Sequence, residues 1–118
     1  MLVRIVGGRF RGRRIAVPKD GVRPTSERVR EALMSMLGPD WSGRYILDCY
    51  AGSGAFGFET LSWGASHVTY IERDARTAKQ IRMTADQLGV SDCIDVLHDD
   101  ATRALRTLSR HKRRFDLL

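Results

Sequence analysis

Asp48, Gly52, Gly54, Gly57 and Glu72 are the residues of this 118-residue chain whose types and spacing could do chemistry. The apolar run Tyr45-Ile46-Leu47 leads into Asp48-Cys49-Tyr50 and then into Ala51-Gly52-Ser53-Gly54-Ala55-Phe56-Gly57-Phe58-Glu59. Strand, glycine loop and helix start thus follow one another within a few residues. The three glycines keep the G-x-G-x-x-G spacing, which lets a backbone turn sharply, approach a ligand and pack a helix on its strand. Asp48 stands four residues before Gly52, at the carboxyl end of the strand, where ligands of open α/β sheets bind. A dinucleotide would set its pyrophosphate against the loop and the helix N-terminus, where a fixed carboxylate repels it. S-adenosyl-L-methionine has no phosphate and carries an ammonium and a sulfonium, so it suits that carboxylate better. Val68-Thr69-Tyr70-Ile71-Glu72 reads as the next strand and ends in an acid 18 residues after Gly54. From there Glu72 can accept two ribose hydroxyls. The plainer alternative is a glycine turn of any α/β protein with a surface glutamate behind it.

Those residues need elements to position them. Leu2-Val3-Arg4-Ile5-Val6 and Arg13-Arg14-Ile15-Ala16-Val17 are β-prone runs on either side of Gly7-Gly8-Arg9-Phe10-Arg11-Gly12, the pattern of a hairpin with arginines around its turn, ended by Pro18. Phe10 can stack on an unpaired base while guanidiniums hold phosphates, or it can anchor the hairpin to the domain; both readings stay open. Arg23-Pro24-Thr25-Ser26-Glu27 reads as a helix entry capped by Thr25 or Ser26, with Val29, Ala32, Leu33, Met36 and Leu37 as a core-facing stripe that Gly38-Pro39 ends. A crossover helix is expected over residues 55–64, a second strand over 67–72, a helix over 75–88 closed by Gly89, a third strand over 93–98 and a helix to about residue 108. Residues 110–114 then read as a short basic linker, and Phe115-Asp116-Leu117-Leu118 as the start of a fourth strand.

The block from Asp48 to Glu59, with Arg23-Pro24-Thr25-Ser26-Glu27-Arg28-Val29-Arg30-Glu31-Ala32-Leu33 upstream, closely resembles the RsmD family of bacterial small-subunit rRNA guanine-N2 methyltransferases. The basic opening from Ile5 to Arg14 is similar to that family as well, so the resemblance covers nearly the whole chain. It implies an α/β fold: the N-terminal part of a Rossmann-like class I methyltransferase, a doubly wound and mostly parallel sheet, preceded by a basic β-hairpin and a helix. Residues 1–23 would then be an RNA-contacting hairpin and residues 24–118 a cofactor-binding part, incomplete at its C-terminus. The resemblance implies methylation of a guanine N2 in 16S rRNA, with the amine aligned on the sulfonium methyl for in-line displacement. S-adenosyl-L-methionine would lie against Asp48, Ala51, Gly52, Ser53 and Gly54, with Glu72 on the ribose and Asp100 and Ala101 at the adenine. Asp100 could equally cap the helix that follows, and one residue can do both.

On the RNA side, Arg4, Arg9, Phe10, Arg11, Arg13, Arg14 and Arg23 are the candidates. Thr25, Arg28 and Glu31 could reach toward the cofactor or target base, although the residues alone would make them a solvated face. In the family the fourth strand leads into an Asp/Asn-Pro-Pro-aromatic motif that holds a flipped guanine. All three prolines here, Pro18, Pro24 and Pro39, precede the cofactor loop, so no catalytic residue is assigned and these 118 residues alone are expected not to complete the reaction. A catalytically incomplete cofactor- or RNA-binding fragment is the alternative, and a nucleotide-dependent oxidoreductase a weaker one.

Charge and composition bound the partners. The net charge of +6 resides in residues 1–23, where six Arg and Lys19 outweigh Asp20, and residues 24–118 sum to zero. A concentrated cationic segment is the footprint of a polyanion, here 16S rRNA or a small-subunit assembly intermediate, with a solvated tail as the bland reading. No apolar run approaches the ~20 residues of a membrane span, and no signal-peptide core opens the chain, so a cytoplasmic protein without membrane contact is expected. Cys49 and Cys93 show neither paired nor metal-type spacing, and His98 and His111 have no partner pattern, so free thiols and no metal are expected. An uncovered fourth strand would invite self-association along its edge.

Overall fold

Ile46 and Leu47 are neighbours on one strand, so their side chains point to opposite faces, and both are fully buried. A sheet covered on both sides follows from that pair. The computed structural model describes residues 2–16, 27–37, 40–49, 51, 53–110 and 115. In chain order the elements are β1 (Leu2–Arg4), β2 (Arg14–Ala16), α1 (Glu27–Leu37), β3 (Tyr45–Cys49), α2 (Ala55–Ser62), β4 (His67–Glu72), α3 (Ala75–Leu88), β5 (Ile94–His98) and α4 (Ala101–Arg110). A 3₁₀ turn at Ser91–Cys93 precedes β5 and shortens the expected third strand by one residue.

The three parallel strands lie in the order β3-β4-β5, with Asp48 opposite Tyr70 and Glu72 opposite His98. On one face Ile46, Val68 and Tyr70 pack with Phe58 and Leu61 of α2 and Ile81 and Ala85 of α3. On the other, Leu47 and Ile71 pack with Ala101, Ala104 and Leu108 of α4. Strands buried on both faces are near-continuous apolar runs, which is why they were legible. Helix α2 stops at Ser62: the N–H of Ala65 bonds the Thr60 carbonyl at 2.9 Å and that of Gly64 the Leu61 carbonyl at 3.1 Å, so Gly64 lies just outside the helix. Asp74 caps α3 by accepting from the Thr77 N–H at 3.2 Å.

The antiparallel pair β1–β2 forms the expected hairpin, with Val3 opposite Ile15. It shares the main core, where Ile5 and Ile15 join Trp41 and Ile46. The residues between its strands are bonded to α2. Ser62 accepts from the N–H of Arg9 through its carbonyl and from that of Phe10 through its hydroxyl, each at 2.9 Å. Gly8 sits at φ +77, and a Cβ there would lie 2.0 Å from the Ser62 carbonyl oxygen, so glycine alone permits this approach.

Helix α1 corrects the sequence expectation. Among its described side chains the buried ones are Arg30 and Met34, with Leu33 half-buried, whereas Val29 is 49% exposed and Ala32 lies outside. An arginine takes the core-facing place because it has a partner there. Its Nε donates to Glu59 Oε1 at 3.2 Å and its Nη2 to the Arg4 carbonyl, with both charged side chains out of solvent. The side chains of Met36 and Leu37 lie outside the described set, as do Arg23, Thr25, Gly52 and residues 116–118 of the expected fourth strand. Phe115 packs against the cluster under α4.

Removing one member of a buried pair leaves the other charge unpaired in the core, which costs about 3–5 kcal/mol. Arg30→Met is accordingly expected to lower the unfolding free energy by about that amount in urea titrations. A loss below about 0.5 kcal/mol, the scale of an ordinary surface change, would mean that the pair bears no weight.

Candidate cofactor site and nucleic-acid interface

The carboxyl ends of β3, β4 and β5 bring Asp48, Glu72 and the Asp99–Asp100 turn to one edge of the sheet. Between β3 and α2 the backbone folds back on itself. The Ala51 N–H reaches the Ile71 carbonyl at 3.1 Å, the Gly54 N–H the Ala51 carbonyl at 2.9 Å, and the Ser53 hydroxyl accepts from the Ala55 N–H at 3.2 Å. Gly54, at φ 80, is the residue from which α2 starts. Below it Tyr70, fully buried, donates from its hydroxyl to the Gly54 carbonyl at 2.9 Å. A Cβ on Gly57 would stand 2.5 Å from that hydroxyl, so the last glycine of the motif is there for helix-to-strand packing.

Asp48 is the electrostatic centre of this edge. Burial pushes its carboxyl up to about 7, a backbone hydrogen bond from Gly57 opposes the rise, and the charge of Glu72 adds to it. Gly57 is the third residue of α2, and its N–H is one of the donors a helix start leaves without an internal partner. The Oδ2 atom of Asp48 is buried and has no hydrogen-bond partner. A buried acceptor left unsatisfied costs free energy, and a cationic donor at the site would remove that cost. The same charge, after burial itself, pushes the Tyr70 phenol well up.

Glu72 ends β4, and its Oε1 accepts from the Asp74 N–H at 3.1 Å while its carbonyl accepts from the Asp99 N–H at 3.1 Å. The turn after β5 is therefore pinned beside it. Asp100 is exposed and caps α4, accepting from the Arg103 N–H at 2.8 Å, so the capping alternative holds and leaves the side chain at the site's rim. Ala101, the first residue of α4, is buried against Leu47 and Ile71 of the sheet. Arg28 and Glu31 are both exposed.

The arginines of the hairpin are exposed as expected, at Arg4, Arg9, Arg11, Arg13 and Arg14. Arg13 donates to the Gln87 carbonyl at 3.1 Å at the end of α3. Phe10 is half-buried against the main core, and the Arg9 guanidinium lies over its ring at 4.5 Å. Of its two open readings, the ring's contacts are those of an anchor. Cys49 and Cys93 are free thiols. Among the described residues no group of three His, Cys, Asp or Glu could hold a metal ion, and no helix is long and apolar enough to cross a membrane.

Glu59, Arg30 and Tyr70 were given no role of their own in the sequence reading. Glu59 accepts from the N–H groups of Val6 at 3.0 Å and Gly7 at 3.1 Å, from the Trp63 indole at 2.9 Å and from Arg30. The signal was there: Glu59 is the one charged residue of an eight-residue helix, and a charge that is buried demands partners.

A family model described as "Conserved hypothetical protein 95" matches residues 3–118. The chain belongs to that family. Among curated relatives, "Ribosomal RNA small subunit methyltransferase D" of Escherichia coli (strain K12) is 48% identical over 80 residues, covering 67% of this chain and 40% of the relative. The protein of the same name from Haemophilus influenzae is 42% identical over 90 residues, covering 75% of this chain and 47% of the relative. The chain thus spans less than half the length of either. A solved structure described as "Putative methyltransferase yhhF from Escherichia coli" superposes with TM-score 0.80 at 37% identity, over 89% of this chain and 56% of the other. The RsmD resemblance drawn from the sequence is borne out, and the fold is that of class I methyltransferases.

A carboxyl held above its unfolded value binds its proton more tightly in the folded chain, so it favours folding at low pH and loses that contribution as pH rises from about 3.8 through about 7. Asp48→Asn removes the titration. Its stability relative to the native chain should rise by about 2–3 kcal/mol between pH 5 and pH 8. Urea melts at the two pH values check this, and a difference independent of pH would place the Asp48 carboxyl in solvent.

Proposed function

We propose that this chain carries the cofactor-binding and RNA-approach parts of an S-adenosyl-L-methionine-dependent methyltransferase acting on a guanine N2 of 16S rRNA. The observation that carries the reading is the unsatisfied, buried Oδ2 of Asp48 at the carboxyl end of β3, beside Glu72 and the loop through Gly54. A phosphate-bearing dinucleotide would face two carboxylates there, whereas a phosphate-free cation is attracted by both. The donor set fits the cofactor. Asp48 would meet its cationic methionine end, the backbone of Ala51 to Gly54 would lie along it, Glu72 would accept the ribose hydroxyls, and Asp100 with the Ala101 backbone would border the adenine. When bound, the cofactor supplies an activated methyl group.

What the chain's own residues contribute is orientation and charge. Asp48 would hold the donor at its methionine end and Glu72 at its ribose, while Tyr70 holds the loop from below through the Gly54 carbonyl. Residues 1–23 supply the cations that would draw rRNA to this edge, in line with the rRNA methyltransferase names of the relatives. None of the 118 residues is assigned to the target guanine: the Asp/Asn-Pro-Pro-aromatic motif that marks its pocket in the family does not occur among them, and Pro18, Pro24 and Pro39 all precede Asp48.

Binding a cation beside Asp48 requires the ionised carboxylate, so affinity is proton-linked. Below about pH 7 the ligand must first displace a proton, and the dissociation constant should weaken up to about tenfold per pH unit, while above it the constant levels off. Glu72→Ala should weaken binding by roughly 1–3 kcal/mol at any pH, the scale of a lost charge-assisted hydrogen bond. Calorimetric titration with S-adenosylhomocysteine, against NAD as comparator, measures both effects. Tighter NAD binding, or an affinity indifferent to pH and to Glu72, would sink the reading.

A further inference from the structure

Arg103, Arg106 and Arg110 are exposed residues of α4, and their spacing of three and four puts them on one side of the helix. The buried residues of the same helix are Ala101, Ala104 and Leu108, seated on Leu47 and Ile71. At 100° per residue the arginines centre about 160° from that stripe, so they form the ridge directly opposite the core contact, about 10 Å long. The decamer Ala101–Arg110 contains no acid. Like charges three and four residues apart on a helix repel one another, and ordinary solvated faces mix the two signs. Asp99 approaches Arg103 at 3.4 Å, but with that guanidinium largely exposed the pair is a weak one. No carboxylate among the described residues pairs with Arg106 or Arg110. The ridge thus has a cost in the free chain that the weak Asp99 pair and the place of Arg110 in the last turn of the helix offset only in part.

We infer that this face of α4 is a second phosphate-binding surface, which grips the backbone of the same RNA that the hairpin approaches. The inference rests on the RNA reading above. Two placements favour an extended polyanion over a small phosphate ligand. Helix α4 starts at the Asp99–Asp100 turn, so the ridge begins at the rim of the cofactor edge. The hairpin packs with the core on the opposite face of the sheet, so cations flank the sheet on both sides. One structured RNA can touch both sets; one phosphate group cannot. An acidic membrane surface is the rival occupant of a basic ridge.

The test is RNA binding by fluorescence anisotropy across a salt series, with a small-subunit rRNA fragment and the 118-residue chain. Three variants are compared: Arg103→Gln/Arg106→Gln/Arg110→Gln, the same positions changed to Lys, and Arg9→Gln/Arg11→Gln/Arg13→Gln. The Gln ridge variant should bind at least about tenfold more weakly near 50 mM salt, with the slope of log affinity against log salt reduced by about 2, and the Lys variant should keep both. Because the positions are exposed and like charges are removed, the Gln ridge variant should melt no lower than the native chain and the Lys variant with it. If the hairpin variant loses slope and the Gln ridge variant does not, the ridge inference is wrong and the RNA reading stands. If neither loses slope, both fail. Loss of phosphatidylserine-vesicle binding with RNA binding intact would assign the ridge to a membrane instead.

Discussion

The carboxylate of Glu59 is the point on which the rest of the chain leans. It is buried in α2, and it gathers the Val6 and Gly7 amides, the Trp63 indole and the Arg30 guanidinium. Three parts of the sequence meet there: the hairpin loop, the first long helix and the helix that begins at the cofactor loop. An ionised carboxylate in the core is expensive unless its lone pairs are filled, and here four donors fill them. The same need explains why α1 turns an arginine inward. Satisfying the charge and docking the hairpin are one event.

Asp48 shows the opposite arrangement, a buried carboxyl left short of partners. Its Oδ2 is orphaned and its proton is held to about 7 by burial. Groups whose ionisation is disfavoured in the free protein and favoured by a ligand are typical of functional sites, because the unmet interaction is released on binding. Glu59 is saturated and structural; Asp48, on the strand that leads into α2, has an oxygen left without a partner. The two carboxylates lie on either side of the β3–α2 loop, which is how a single supersecondary unit can both hold the hairpin and leave one carboxyl oxygen without a partner.

Most of the sheet was legible because both faces of parallel strands are apolar, and the turn chemistry at Gly64 and Gly89 is local. The glycine loop, Asp48 and Glu72 were legible for the same reason, since strand ends and loop spacing set their place. The inward face of α1 was not. Periodicity counts an arginine as polar, and only its partner 29 residues on, Glu59, makes Arg30 a core residue. The part of Phe10 as an anchor and the close approach of Gly8 to Ser62 depend on the same distant helix, so no local pattern carried them. Charge summed over long segments also hid the α4 ridge, because acids elsewhere in residues 24–118 cancel it.

The central claim is that the basic hairpin and the cofactor-side helix α2 are one mechanical unit. Native-state hydrogen exchange, read residue by residue by NMR, tests it most directly. The amides of Val6, Gly7, Arg9 and Phe10 bond to Glu59 and Ser62, so they should exchange as slowly as those of Phe58 to Leu61 and open together with them. Exchange of those four amides near unprotected rates while α2 stays protected would show that the hairpin moves independently and contradict the account.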